Sequence, residues 1–204
     1  EFNMCGIVGY LGSRKAAEVI VEGLSKLEYR GYDSAGVAVN SSNEKELNIR
    51  KFKGRLSVLA EDLEKNPIDG NLGIGHTRWA THGEPSDVNS HPHFNQAKTI
   101  AVVHNGIIEN YMEIKEELIK KGHNFTTNDD IEVLLASYIE FGKNCVHKIK
   151  GMFNFIIYDR ENESIFGARD LFGIKPLYYI NKENAIIFSS EYKFLLEYMK
   201  NLNI

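Results

Sequence analysis

The stretch MCGIVGYLG, from Met4 to Gly12, decides how the rest of the chain is interpreted. Its apolar run from Ile7 predicts a short buried strand. Cys5, one of only two cysteines, follows a methionine and directly precedes that strand. Residues 1–3 are interpreted as left over from cloning, since Glu-Phe is what a common restriction site encodes. Met4 is then the initiator methionine, and its removal is expected to make Cys5 the first residue.

The composition predicts one soluble globular domain over residues 5–204, with residues 1–4 outside it. Of the 204 residues, 43% are hydrophobic, which is enough for a sizeable core. Acidic and basic residues are interspersed and give a net charge of −4, so we expect neither nucleic acid nor a membrane surface as a partner. Two cysteines make no disulfide framework, and no apolar run approaches the roughly 18 residues of a membrane span. We therefore expect a cytoplasmic protein.

Hydrophobic spacing predicts two packed sheets covered by helices, because strand-like runs lie at both ends of the chain. Helical periodicity is expected over residues 14–28, 55–66, 111–121 and 130–141, and from about residue 191. Four strand-like runs between Met152 and Ser190 follow one another at short spacing and predict an antiparallel meander. One of them, FNFIIY, is apolar throughout, which is typical of a strand buried on both faces.

A polar loop is predicted over residues 80–94, and it holds three of the seven histidines. Such loops are frequent functional surfaces. His91 and His93 form a His-x-His pair, with His76 and His82 nearby, and such pairs can chelate zinc. No carboxylate or cysteine stands at a recognisable ligand spacing, so we expect neither a metal nor a cofactor.

Cys5 as a first residue would carry a nucleophile and a base together. An α-amine titrates near ~8, so it can take the thiol proton, directly or through water, and later protonate a leaving amine. A thiolate is the strongest side-chain nucleophile. The alternative is a small buried hydrophobic residue, which most free cysteines are. Cys5 and its two neighbours do not decide between these roles.

Five motifs settle the choice by resemblance: MCGIVGYLG, LEYRGYDSAG, GHTRWATHGEPS, NSHPHF and VVHNGIIENY. With them, the chain from Met4 to about Asn124 resembles the glutaminase domain of class II glutamine amidotransferases, in the form found in glucosamine-6-phosphate synthases. The resemblance implies an α+β fold, the four-layer αββα sandwich of N-terminal-nucleophile hydrolases. It also implies hydrolysis of L-glutamine through a γ-glutamyl thioester on Cys5.

The last third departs from that pattern. GMFNFIIYDR, GARDLFGIKPLYY and SSEYKFLLE resemble the glutaminase domain of asparagine synthetases instead. The first five motifs imply an acceptor domain, absent from this chain, that makes glucosamine 6-phosphate from fructose 6-phosphate. The last third adds an ATP-using asparagine synthetase-type domain as the alternative. A homodimer is one state open to the full-length protein. A glutamine-binding regulatory module without turnover is the third candidate, and the complete set of site residues argues against it.

The resemblance assigns Arg78 to the carboxylate of glutamine, which suits a guanidinium that binds a carboxylate through two parallel hydrogen bonds. The plain alternative is a surface salt bridge. Thr81 and His82 match residues that add hydrogen bonds to the same carboxylate. Trp79, the only tryptophan, matches a mobile lid that closes over bound glutamine and excludes water.

Asn105 and Gly106 match the oxyanion hole, the donors that stabilise the tetrahedral intermediate, although Asn-Gly is also a common turn. Asp130 matches the partner of the α-ammonium of glutamine. Its plain alternative is to stabilise a helix N-terminus, and Asp129 is a rival for the binding role. Arg30 is expected to support the site without contacting glutamine.

Overall fold

The computed structural model describes residues 5–30, 33–41, 44–78, 90–182 and 184–201, apart from the side chain of Arg30. The strands in these ranges are β1 (Gly6–Leu11), β2 (Ser34–Val39), β3 (Asn48–Lys53), β4 (Leu72–Arg78), β5 (His93–Phe94), β6 (Ile100–Ile108), β7 (Gly151–Asp159), β8 (Ser164–Arg169), β9 (Tyr178–Lys182) and β10 (Ala185–Ser189). The helices are α1 (Ala16–Leu27), α2 (Leu56–Lys65), α3 (Tyr111–Lys120), α4 (Asp130–Phe141) and α5 (Tyr192–Asn201). Two short 3-10 helices cover Glu28–Arg30 and Gly142–His147.

The strands form two antiparallel sheets. The larger has the order β3-β2-β4-β1-β10-β9, and the smaller has the order β5-β6-β7-β8. The predicted meander of the last four strands is wrong, because β7 and β8 lie in the smaller sheet whereas β9 and β10 lie in the larger one.

The chain changes sheet in the loop after β8, where the Asp170 carboxylate accepts hydrogen bonds from the backbone N–H groups of Phe172, Ile174 and Lys175. Those bonds fold the loop away from β8 and end the hairpin pattern.

Three apolar cores separate four layers. Helices α1, α2 and α5 pack on the outer face of the larger sheet, and α3 and α4 on that of the smaller sheet. The two sheets pack on each other through a third cluster that includes Ile7, Ile74 and Ile156. The αββα architecture is thus confirmed. Strand β7 lies in the middle of it, since Phe155 faces the helices, Ile156 faces the other sheet, and both are fully buried.

The helices follow the predicted spans closely. In α1 the side chains at i, i+4 and i+7, those of Ile20, Leu24 and Leu27, are fully buried against the larger sheet. Helix α4 has the predicted bounds and is followed by Gly142, whose positive φ of 58° ends the helical path. In the described part of the chain, no helix combines the length and the apolar character that crossing a membrane requires.

Candidate active site

Three strands bring the predicted nucleophile to one end of the layer between the sheets. Cys5 is half-buried and directly precedes β1, where Ile7 pairs with His76 of β4. Side chains alternate along a strand, so Cys5 shares the inner face of Ile7. Asn105, on β6 of the other sheet, faces Cys5 and His76 from across the layer. Two sheets therefore meet at Cys5.

Asn105 connects Cys5 to His76. Its Nδ2 donates a hydrogen bond to the backbone carbonyl of Cys5 at 2.9 Å, and its Oδ1 lies 2.9 Å from Nε2 of His76. An amide oxygen only accepts, so this network assigns the proton of the neutral His76 ring to Nε2. Among the described residues these are the two partners of the Asn105 side chain, so its second Nδ2 hydrogen can serve a ligand.

His76 is buried and uncharged. Burial lowers the pKa of His76 from 6.5 to about 3, although the hydrogen bond with Asn105 opposes the shift. The ring stacks on that of His91, with centroids 4.2 Å apart, and burial likewise holds the pKa of His91 well below its usual value. Nδ1 of His91 accepts a hydrogen bond from the backbone N–H of His104 at 3.3 Å. The uncharged rings of His76 and His91 thus stack on each other beside β4 and β6.

The histidine pattern shows ring packing rather than ligand geometry. His91 and His93 meet edge to face, with centroids 4.9 Å apart. Over the residues that the structure describes, no group of three or more His, Cys, Asp or Glu side chains could hold a metal ion together. His82, the fourth histidine of the pattern, lies outside those residues.

Gly106 occupies a backbone conformation that requires glycine. Its φ is +117°, and a Cβ at this position would collide with the carbonyl oxygen of Met152 on β7. Because Gly106 pairs with Phe153 in the sheet, the strand cannot move away to make room. The Asn-Gly pair is therefore part of a strand and not a hairpin turn.

Arg78 ends β4 two positions beyond His76, so alternation places both on the inner face. It is half-buried, its backbone pairs with Ser34, and its carbonyl accepts a hydrogen bond from the N–H of Asp33 at 3.1 Å. The chain beyond it, residues 79–89, is not described, so Trp79 and Thr81 lie outside the described residues together with His82.

Asp130 is half-buried at the start of α4, and its Oδ2 accepts a hydrogen bond from the backbone N–H of Ile108 at 2.8 Å. Ile108 ends β6 two positions after Gly106. Asp129 is exposed at the residue before the helix. The structure thus ties Asp130, and not its rival, to the strand that carries Asn105.

Two contacts of the site were missed by the sequence reasoning. The sequence pattern suggests only a possible metal site for His76, although its position two residues before Arg78 places it on the same strand face. Ser190 follows β10, where its Oγ accepts a hydrogen bond from the N–H of Ile7 at 2.9 Å and its N–H donates to the carbonyl of Ile7 at 3.0 Å. Nothing in the Ser-Ser pair at residues 189–190 points to this role in holding the first strand.

A four-layer αββα sandwich with a cysteine before its first strand is the architecture of N-terminal-nucleophile hydrolases. Residues 35–203 match the family described as glutamine amidotransferase domain, and the chain belongs to that family of enzyme domains.

Two bacterial proteins named glutamine–fructose-6-phosphate aminotransferase [isomerizing] illustrate the similarity. The one from Clostridium perfringens is 64% identical over 131 residues, which is 64% of this chain and 21% of that protein. The one from Caldanaerobacter subterraneus is 46% identical over 212 residues, which is 98% of this chain and 33% of that protein. The chain thus spans between a fifth and a third of the length of these relatives.

Solved structures agree on the fold. Glutamine phosphoribosylpyrophosphate amidotransferase from B. subtilis, complexed with ADP and GMP, superposes with a TM-score of 0.78 at 27% identity, covering 94% of this chain and 43% of that one. A glutamine aminotransferase class-II domain protein from Silicibacter pomeroyi superposes with a TM-score of 0.59 at 15% identity, covering 91% of this chain and 88% of that one. The second likeness bears on the fold alone.

Proposed function

We propose that this domain hydrolyses L-glutamine to glutamate and ammonia through a γ-glutamyl thioester on Cys5. The observation that carries the proposal is the position of Asn105, which donates to the Cys5 backbone at 2.9 Å from the facing sheet and has a second amide hydrogen that can serve a ligand. That hydrogen and the N–H of Gly106 are the oxyanion donors. The active domain consists of residues 5–204, with residues 1–4 removed.

In the first half-reaction the free α-amine of Cys5 takes the thiol proton, directly or through water, and the thiolate attacks the side-chain amide carbon of glutamine. The carbonyl oxygen becomes an oxyanion that Asn105 and Gly106 stabilise. The ammonium form of the α-amine then protonates the leaving nitrogen, the C–N bond breaks, and ammonia departs. In the second half-reaction a water molecule, deprotonated by the same amine, attacks the thioester, and glutamate leaves as the thiol is restored.

The remaining predicted residues hold the substrate. Arg78 pairs with the α-carboxylate, which Thr81 and His82 also contact, and Asp130 pairs with the α-ammonium. These partners fix both charged groups of glutamine, so the side-chain amide is held in one place relative to Cys5. Trp79 closes over the bound amino acid.

For the acceptor we propose fructose 6-phosphate, with a homodimeric, cytoplasmic full-length enzyme. The support is that the 46% identical relative matches 98% of this chain, so the match includes the last third, in which the motifs resemble asparagine synthetases. The complete gene separates the two acceptors, because it encodes either a phosphosugar isomerase domain or an ATP-pyrophosphatase domain downstream.

The test compares ammonia release from L-glutamine by the chain as given and by a form cleaved to begin at Cys5, with mass spectrometry confirming each N-terminus. An amide nitrogen is not basic, and loss of a general base typically costs about 10²–10⁴ in rate. We expect the uncleaved form to fold but to be essentially inactive, and the cleaved form to be active without ATP and in the presence of a chelator.

Cys5→Ala in the cleaved form abolishes turnover, whereas the buried Cys145→Ala serves as the matched control. Equal turnover by the uncleaved form would show that the α-amine is not the base, and His82 is then the first candidate. Glutamine binding without turnover by the cleaved form would replace the proposal with a regulatory module.

A further inference from the structure

Several exposed apolar side chains lie outside the glutamine site, at the β9 edge of the larger sheet as the described strands form it. Leu171 and Phe172, in the loop after β8, are 92% and 85% exposed. Large apolar side chains exposed in one region often mark an interaction surface. The loop leads directly into β9, whose two tyrosines are also exposed. This surface, the β9 edge surface, consists of Leu171, Phe172, Ile174, Tyr178, Tyr179 and Tyr192.

The edge strand within this surface carries less charge than the opposite edge of the sheet. Strand β3, at that opposite edge, reads NIRKFK and carries three basic residues. Charged side chains are a common way in which proteins keep an edge strand from pairing with another chain. Strand β9 has one basic residue, Lys182, at its end. It also carries Tyr178, whose ring meets that of Tyr192 on the helix side, and Tyr179, whose ring meets that of Phe188 on the other side. Aromatic side chains thus lie on both faces of this edge strand.

The β9 edge surface is attached to the strand that pairs with the oxyanion residues. The loop that carries Phe172 begins at Asp170, whose N–H donates to the carbonyl of Phe153 at 2.7 Å. It ends near Pro176, whose carbonyl accepts a hydrogen bond from Nδ2 of Asn154 at 2.6 Å. Phe153 and Asn154 are the residues of β7 that pair with Gly106 and Asn105 in the sheet. A partner bound to this loop therefore lies beside the place where ammonia is released.

We infer that the β9 edge surface is the docking site of the acceptor domain in the longer amidotransferase, an inference that rests on the proposed function. The relatives are at least three times as long as the part that matches, so such a protein carries a further domain that must receive the ammonia. Helix α5 packs beside β9 and is ten residues long, so a chain that continues past it leaves the domain within about 15 Å of the surface.

The partner surface has a definable chemistry. The aromatic centre requires an apolar counterpart, because the buried centre of an interface is depleted in charge. Three exposed basic residues lie next to it, Arg169, Lys182 and Lys193. The acidic Glu183 follows Lys182 in the sequence. The acceptor domain is therefore expected to present an apolar patch with mainly acidic side chains around it, which also orients the two domains.

Hydroxyl-radical labelling tests the docking without any need for turnover. Labelling is compared between the 204-residue chain and the complete polypeptide encoded by the gene that carries this domain. We expect oxidation of Phe172, Tyr179 and Tyr192 to fall at least fivefold in the complete polypeptide. Met112, which is 49% exposed on α3 of the opposite layer, is the internal reference and is oxidised equally in both. Equal labelling of the aromatic residues would overturn the inference. Protection of these aromatic residues in the isolated chain that increases with its concentration would also overturn the inference, because a second copy of the chain then covers the β9 edge surface.

Substitutions test the consequence for ammonia transfer. The double variant Leu171→Ser, Phe172→Ser should lower the ratio of acceptor product formed to glutamine hydrolysed several-fold in the complete polypeptide. In the isolated chain, the same variant should change glutaminase turnover by less than twofold. Ile119→Ser on α3 and Ile139→Ser on α4, each about half exposed on the far layer, are matched controls and leave both quantities unchanged. Unchanged coupling, or an equal loss of glutaminase turnover in the isolated chain, would contradict the inference. If the unmodified cleaved chain shows no glutaminase activity, the proposed function is contradicted. The labelling experiment, which needs no turnover, then decides alone whether the docking inference holds.

Discussion

His76 and Asn105, on strands of different sheets, are joined by a hydrogen bond of 2.9 Å that crosses the layer between the sheets. The bond uses Oδ1 of Asn105 and so turns Nδ2 towards Cys5. Because the ring of His76 is buried and uncharged, its donor and acceptor roles stay the same across the physiological pH range. A neutral histidine thereby orients the side chain that is proposed to stabilise the oxyanion.

Asn105→Ala in the chain that begins at Cys5 should lower kcat by about 10²–10³, the typical cost of one lost oxyanion donor. The KM for glutamine should change little, because the oxyanion exists only after the attack. Steady-state ammonia release measures both constants, and Asn144→Ala, at an exposed position, is the control. A rise in KM with kcat unchanged would show that Asn105 binds substrate instead.

His76→Leu should lower kcat about five- to tenfold, which corresponds to the roughly 1 kcal/mol of one hydrogen bond, and should leave KM unchanged. Its effect should disappear in the Asn105→Ala background, because residues that act through one another are not additive. The double-mutant cycle in kcat is the measurement. Full additivity would mean that His76 acts on the site by another route.

Arg78→Lys should raise the KM for glutamine strongly, because an ammonium group cannot reproduce the two parallel hydrogen bonds of a guanidinium. The kcat at saturating glutamine should remain close to that of the unmodified domain. Arg14→Lys, a surface position paired with Glu22, is the control. If Arg78→Lys and Asn105→Ala show the same signature, the separation of binding from oxyanion stabilisation is wrong.

The free energy of unfolding should fall as the pH drops below about 6.5. Burial lowers the pKa values of His76, His91 and His104, so between pH 6.5 and about 3 the unfolded chain binds protons that the native His76 ring does not. For the His76 ring this is a loss of up to about 1.4 kcal/mol per pH unit in this window and none above it, and the His91 and His104 rings act in the same direction.

Urea denaturation at several pH values between 7.5 and 4.5 measures this slope. His76→Asn should make it shallower, whatever its effect on stability at neutral pH, whereas the exposed His147→Asn should leave it unchanged. Identical slopes for the two variants would contradict the assignment of His76 as a proton-binding group of the unfolded state.

Apolar patterning along the chain was sufficient to predict the local elements, and the motifs to predict the class of the fold. Apolar spacing located α1 and the bounds of α4, and the continuous apolar run of β7 indicated a strand between two layers, because these patterns record how one segment meets its nearest neighbours. The motifs around Cys5, Arg78 and Asn105 pointed to the family. Their roles in binding and catalysis stay predictions until the variants above are measured.

The pairing of the strands and the contacts of side chains across the layer could be learned from the three-dimensional packing alone. Alternation along a strand defines two faces, but it does not say which distant strand lies beside it, since that depends on the packing of the whole core. The division of the last four strands between two sheets, and the contact of His76 with Asn105, 29 positions apart, both follow from such long-range packing. The Asp170 carboxylate is the exception, because its local hydrogen bonds redirect the chain from one sheet to the other.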